Sequence, residues 1–132
     1  FIYREKYRAG AKSVDQRKKS TFEYYENIRE SDYIICIRGT GNFSIRFFET
    51  LMMGRIPVFI DTDCLLPFTN LVNWKDHMIW IKWGDIELLP KLILEFHESI
   101  NDFDFKQIQR SNRKLWKDKF NPNWILQNLI KT

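Results

Sequence analysis

Cysteine, glycine and proline are all scarce in this chain, and each scarcity removes a class of protein. Two cysteines, Cys36 and Cys64, form neither a CxxC pair nor a bridged framework, so the fold must rest on a hydrophobic core without disulfides or a thiolate metal site. Cys36 falls inside an apolar run and reads as a core thiol. Such sparse thiol usage suits a reducing compartment. Five glycines and four prolines leave no low-complexity tract, and no internal repeat is present. No apolar run approaches the ~18 residues of a membrane span, and no signal-peptide pattern opens the chain. The first residues, Phe1-Ile2-Tyr3, lack a Met, which predicts a piece excised from a longer protein.

What remains is enough for a globular core. With 132 residues, 44% of them hydrophobic, the chain is expected to form one domain, residues 1–132, that buries roughly two thirds of its unfolded surface. The net charge of +4 is unevenly placed: residues 1–20 hold seven basic side chains against two acidic ones. A basic end of this kind could meet a diphosphate or track a nucleic-acid backbone.

The chain is organised around Asp32 to Asp61. An apolar run from Tyr33 to Ile37 ends in Arg38-Gly39-Thr40-Gly41-Asn42; helix-compatible residues follow from Ser44 to Met53, then Gly54, then a second apolar run from Ile56 to Ile60. Two β-branched runs joined by a helix predict a βαβ unit with parallel strands, since a crossover needs a helix's length. The glycine loop then lies at the carboxyl end of a parallel strand, where open α/β sheets bind ligands. Its glycines permit close backbone approach and the next helix offers free N–H groups, an arrangement suited to phosphate. At about 100° per residue, Ile45, Phe47, Phe48, Leu51 and Met52 should face the sheet, with Arg46, Glu49, Thr50 and Met53 opposite. Arg46 and Glu49, three residues apart, form either a surface ion pair or part of a ligand site. Gly54 should supply a left-handed residue after the helix, and Pro57 should keep the chain extended into the second strand.

The string RGTGNFSIRFFETLMMGRIPVFID, followed by Leu66-Pro67-Phe68 and Trp74, resembles the C-terminal half of exostosin-family glycosyltransferases. The resemblance is strongest from Asp32 to Trp74 and rests on Arg-Gly with a second glycine, Ser-x-Arg-x-x-Glu, Gly-x-Ile-Pro-Val and Leu-Pro-Phe, in that order. It implies an α/β fold: a Rossmann-like parallel sheet flanked by helices, the C-terminal domain of a two-domain GT-B glycosyltransferase. It also implies binding of a nucleotide-sugar donor, a UDP-sugar by analogy, and transfer of the sugar to a glycan or other hydroxyl acceptor. Arg38 and Arg46 would act catalytically on the departing diphosphate. Gly39, Gly41, Asn42 and Ser44 would bind the donor, with Glu49 on the ribose diol. No cofactor is implied, because the nucleotide sugar is a substrate. The acceptor site and the catalytic base would belong to a missing N-terminal domain.

Elsewhere the patterns are plainer. Phe1 to Tyr3 could be a first strand, with Arg4 or Lys6 near the phosphates or simply in a solvated charge run. Ser20-Thr21-Phe22-Glu23 has capping-box form and predicts a helix from Thr21 to Arg29, buried along Thr21, Tyr25 and Ile28. Asp61-Thr62-Asp63 should turn near the cleft; its two acids alone make a poor metal site, and the resemblance points away from metal. Leu65 to Phe68 should pack over the core edge, and Met78 to Trp83 reads as another strand. A helix opening over Asp85 to Pro90 should bury Leu92, Ile93, Phe96 and Ile100. His97 has no partner motif and defaults to a structural role. Asp104 suits the cap of a helix from Phe105 to Lys119, and Trp124 to Ile130 a last short one. In GT-B proteins the C-terminal helices often cross back toward the other domain, which would give these aromatics something to pack on.

Two rival functions remain beside the transferase: a nucleic-acid-binding module using the basic N-terminal segment, and a non-catalytic nucleotide-binding domain. No ordered nucleic-acid signature accompanies the basic segment, so no nucleic-acid partner is expected.

Overall fold

The computed structural model describes residues 10–129, which leaves the Phe1-to-Tyr3 strand and the Arg4 and Lys6 contacts outside the described residues. The chain divides into two compact units, residues 1–32 and 33–132.

In the first unit, helix α1 (Val14–Arg29) starts at Val14 and not at Thr21, about two turns before the predicted point. Its cap is Ser13: the Ser13 hydroxyl accepts from the Gln16 amide at 3.2 Å, and Gln16 Oε1 accepts from the Ser13 amide at 3.2 Å. Both Ser13 and Ser20 open an S-x-x-E/Q pattern, but Gln16, Arg17, Lys18 and Lys19 before Ser20 are all good helix formers and give the chain no reason to break there. Gly10, at φ +69°, turns the chain ahead of Ser13 instead. Of the predicted stripe, Ile28 is buried, Tyr25 half-buried and Thr21 exposed.

The second unit holds a parallel sheet of β1 (Tyr33–Cys36), β2 (Ile56–Asp61) and β3 (Ile79–Lys82), in that spatial order. Tyr33 pairs with Ile56 and Val58 with Ile79, so β3 begins pairing two residues into β2. Pro57 is therefore flanked by one strand only, which is why a residue without an N–H is tolerated in the middle strand.

Helix α2 (Ile45–Met52) makes the crossover from β1 to β2, as the spacing predicts. It covers the sheet face that carries Phe59: the rings of Phe47 and Phe59 meet at 5.6 Å. Ile56, Val58, Ile60, Ile79 and Ile81 fill the opposite face. Fully burying each such side chain is worth about 1.5–3 kcal/mol. Helices α3 (Leu89–Ser99) and α4 (Asp102–Leu115) pack against that face through Leu92, Ile93, Phe96, Phe105 and Ile108. Helices thus flank both faces of the sheet. His97 takes the structural role expected of it, its Nδ1 2.8 Å from the Tyr33 hydroxyl.

Helix α4 is capped by Asn101, whose side chain accepts from the Asp104 amide at 2.9 Å. Asp104 is thus inside the first turn, where a carboxylate favours the helix dipole, and the predicted cap was three residues late. A π-helical turn over Trp116–Phe120 and helix α5 (Pro122–Leu129) complete the chain. Their aromatics have partners within the unit: Phe120 lies 5.1 Å from Phe48 and 5.7 Å from Phe68, and Trp124 lies 6.3 Å from Phe68. Phe68 thereby packs as predicted, whereas Leu65 is almost fully exposed.

Gly54 ends α2 in a Schellman motif. The Arg55 amide donates to Thr50 O and the Gly54 amide to Leu51 O, both at 3.0 Å, with Gly54 at φ +63°. A Cβ there would also meet Gln109 O at 3.2 Å and the Arg113 Cβ at 3.3 Å. Gly54→Ala is expected to cost about 1–3 kcal/mol through left-handed strain and crowding together. Urea unfolding checks this, and an unchanged midpoint would refute it.

Candidate functional site

A cleft of about 700 Å³ opens at the carboxyl ends of all three strands. Ile37, Arg38 and Gly39 follow β1 on one wall; Asp61, which ends β2, forms the floor with Thr62 and Asp63; Lys82, which ends β3, and Trp83, which opens a 3-10 turn after it, make the other wall. The volume lies in the range of small-molecule sites, and the position is where a parallel sheet exposes its strand ends to ligands.

The glycine loop is held over this cleft from both ends. The Gly39 amide donates to Phe43 O at 3.1 Å, closing the loop on itself. Asn42 then pins it to the β2 exit: its Nδ2 donates to Asp63 O at 3.1 Å, and its Oδ1 accepts from the Thr62 hydroxyl at 2.8 Å. Neither Gly39 nor Gly41 has a positive φ. A Cβ at Gly41 would sit 2.8 Å from the Phe43 ring, so the exposed ring would have to shift to admit one.

Asp61 and Asp63 form the turn expected of them beside the cleft. Asp61 accepts from the Asp63 amide at 3.0 Å through one carboxylate oxygen and from Trp80 Nε1 at 3.1 Å through the other. Its charge-bearing oxygens are thus engaged in shaping the floor. Among the described residues, no group of three or more His, Cys, Asp or Glu side chains is placed to hold a metal ion. No helix among them is long and apolar enough to cross a membrane.

Helix α2 is rotated from its predicted setting. Thr50, assigned to the outer side, is fully buried, and Ile45, assigned to the sheet, is 65% exposed. The Thr50 hydroxyl can be buried because it donates to Arg46 O at 2.7 Å and lies 3.6 Å from Cys36 Sγ; Ile45 is the first residue of the helix. This rotation leaves Glu49 half-buried and Arg46 exposed, with both charges felt at Cys36 on β1. Burial dominates there and pushes the Cys36 thiol up to about 12, against smaller lowering effects of the Thr50 hydrogen bond and Arg46. Burial and then Asp61 also raise Cys64. A thiol held as high as that of Cys36 stays protonated at neutral pH and is no nucleophile.

Of the residues singled out from sequence, the structure places Arg38 and Gly39 in the cleft wall and Asn42 as the brace of its loop. Ser44 caps α2 without a side-chain hydrogen bond. Gly41, Ser44, Arg46 and Glu49 do not line the cleft; Arg46 and Glu49 lie near enough to Cys36 for their charges to act on its thiol. Lys82 and Trp83 were missed. They follow from the same physics as Arg38 and Gly39, because the carboxyl end of β3 is as open to a ligand as that of β1.

The exostosin GT47 domain model matches residues 4–96. Similar sequences include a probable glucuronosyltransferase 47 A of Physcomitrium patens, 30% identical over 78 residues, or 58% of this chain and 17% of the relative. An exostosin-1 homolog of Caenorhabditis elegans is 28% identical over 102 residues, 77% of this chain and 26% of the relative. A probable beta-1,4-xylosyltransferase IRX10L of Arabidopsis thaliana is 30% identical over 70 residues, 53% of this chain and 17% of the relative. The chain thus spans about a sixth to a quarter of the length of these curated relatives.

Proposed function

The chain belongs to the exostosin GT47 family, and we propose on that premise that it is the donor-binding half of a two-domain, GT-B glycosyltransferase. In this reading the protein moves a sugar from a nucleotide diphosphate, UDP by family analogy, to an acceptor hydroxyl. The bond from the anomeric carbon to the diphosphate breaks, a bond from that carbon to the acceptor oxygen forms, and the acceptor proton passes to a base in the companion N-terminal domain. The diphosphate gains negative charge as it leaves, so the site must supply fixed cations and N–H donors. The observation that carries the reading is the cleft at three parallel strand ends with Arg38 on its β1 wall. Gly41, Ser44 and Arg46 stand outside the cleft lining, so in this reading the remaining phosphate oxygens would reach past the cleft wall to Arg46 and the Gly39-to-Ser44 loop, with Asn42 holding that loop in place. Glu49, further along α2, would accept two hydrogen bonds from the ribose diol.

Glu49→Gln tests this directly. Titration calorimetry of UDP against the full-length protein should show affinity weakened roughly tenfold or more, since a charged hydrogen bond is worth about 1.5–3 kcal/mol. Equal affinities would remove Glu49 from the site and leave the surface ion pair that its i,i+3 spacing to Arg46 allows, worth less than about 1 kcal/mol. A non-catalytic nucleotide-binding domain would show the same loss of affinity but no turnover in the wild type.

A further inference from the structure

Beyond Arg38 the chain from Gly39 to Phe43 is exposed and belongs to no helix or strand. Left to itself, such a run would lose conformational entropy each time it closed on a ligand. The Asn42 side chain prevents this by reaching across to the Asp61-Thr62-Asp63 turn, where it engages two successive residues. Its Oδ1 accepts from the Thr62 hydroxyl at 2.8 Å and its Nδ2 donates to Asp63 O at 3.1 Å. The turn that receives it is strained. Asp63 has φ +60°, a left-handed conformation that a residue other than glycine keeps only where its surroundings enforce it. Asp61 holds it there: one carboxylate oxygen accepts from the Asp63 amide at 3.0 Å and the other from Trp80 Nε1 at 3.1 Å. Trp80 lies on β3 with its ring 5.0 Å from that of Phe59, so the chain of bonds from Trp80 through Asp61 and Asp63 to Asn42 is anchored in the sheet.

We infer that Thr62 is a positioning residue for the glycine loop, acting through Asn42, with Asp61 and Trp80 as its fixed support. The inference rests on the donor reading above and names what prepares the loop to receive a diphosphate. Loop N–H groups favour a departing diphosphate most when they are already in place as its charge develops, because donors that must first be ordered lose part of what they gain. The Asn42 amide suits this task, since it is planar and grips at both ends: Oδ1 takes the hydroxyl and Nδ2 the carbonyl, which fixes the way the amide faces. Thr62 lines the cleft floor, but a hydroxyl has one proton and this one goes to Asn42. None is left for a phosphate oxygen. The effect of Thr62 on the ligand therefore passes through the loop.

The test uses the full-length protein with Thr62→Val, which removes the hydroxyl and keeps the shape, Thr62→Ser, which restores the hydroxyl, and Asn42→Ala. Hydrogen exchange read by mass spectrometry should show the peptide of residues 38–44 exchanging roughly three- to tenfold faster in Thr62→Val and near the wild-type rate in Thr62→Ser, with the β2 peptide unchanged in both. Calorimetric titration with UDP should show affinity weakened roughly three- to tenfold in Thr62→Val, the equivalent of one neutral hydrogen bond, and within about twofold of wild type in Thr62→Ser. In the double variant Thr62→Val/Asn42→Ala, UDP affinity should match that of Asn42→Ala alone, because the hydroxyl acts only through the amide. Losses that add would give Thr62 a ligand contact of its own and overturn the assignment. So would an unchanged loop exchange rate or UDP affinity in Thr62→Val, and so would faster exchange across β2 as well, which would make Thr62 merely structural. Failure of the donor reading is seen separately, as an unchanged UDP affinity in Glu49→Gln, while the exchange rates still report on the loop's tether.

Discussion

Asn112→Ala is expected to lower stability by about 3–5 kcal/mol, a large part of what a domain of this size possesses. Asn112 is fully buried in α4 and polar. Its Nδ2 donates to Arg55 O and to His77 O, each at 2.9 Å, and its Oδ1 lies 2.8 Å from His77 Nδ1. Arg55 leads into β2 and His77 precedes β3, so one amide ties α4 to the entries of two adjacent strands. Both Nδ2 protons are used on carbonyls, which leaves Oδ1 as an acceptor and requires His77 to carry its proton on Nδ1. Truncation would strand two carbonyls and one imidazole N–H in the interior, at about 1–3 kcal/mol each. Urea unfolding of Asn112→Ala measures the loss, and Asn112→Asp, which keeps the shape but forfeits the paired donors, should also destabilise. A change below about 1 kcal/mol in the alanine variant would show that water replaces the side chain.

Nothing in the local sequence distinguishes Asn112 from a surface residue of α4, because all its partners lie far away along the chain. The reverse holds for the βαβ unit. Its two apolar runs, the helix-length spacer and Gly54 are local signals, and the structure reproduces them with a one-residue adjustment at most boundaries. Errors arose where two local solutions compete. Ser13 and Ser20 both open a capping pattern, Asn101 and Asp104 can both cap α4, and only the surrounding chain decides between them. The face of α2 was misjudged for a related reason. Angular periodicity ranks Ile45 above Thr50 as a core residue, but Ile45 at the helix start is exposed while Thr50 sits on Cys36, where its hydroxyl is satisfied by the helix's own backbone. At the site, the β1 wall was legible from the glycine loop. The β3 wall was not, since Lys82-Trp83 carries no motif and gains meaning only from the parallel register that sets Lys82 beside Asp61.

Arg38→Ala is expected to reduce sugar transfer by the full-length protein about 10²–10³-fold, mainly in kcat. Arg38 is exposed, follows directly from β1 and lines the cleft, whereas Arg46 stands on the flank of α2 outside it. The two arginines are therefore expected to separate kinetically. On the donor reading, Arg38 in the cleft wall would meet the departing diphosphate and should matter most when charge develops on the leaving oxygen. Arg46, on the same side of α2 as Glu49, should contribute chiefly to holding the nucleotide already bound. Arg46→Ala should then raise the donor KM and UDP dissociation constant by roughly tenfold while lowering kcat much less. Arg38→Lys should recover only part of the loss, because an ammonium keeps the charge but cannot offer the guanidinium's paired donors to a phosphate. The exposure of Arg38 makes a folding defect a poor explanation for any loss, and unchanged urea unfolding in Arg38→Ala would exclude it. Steady-state kinetics with a UDP-sugar donor decide the assignment: transfer by Arg38→Ala within a few-fold of wild type would take Arg38 out of the chemistry and leave the cleft as a binding surface only.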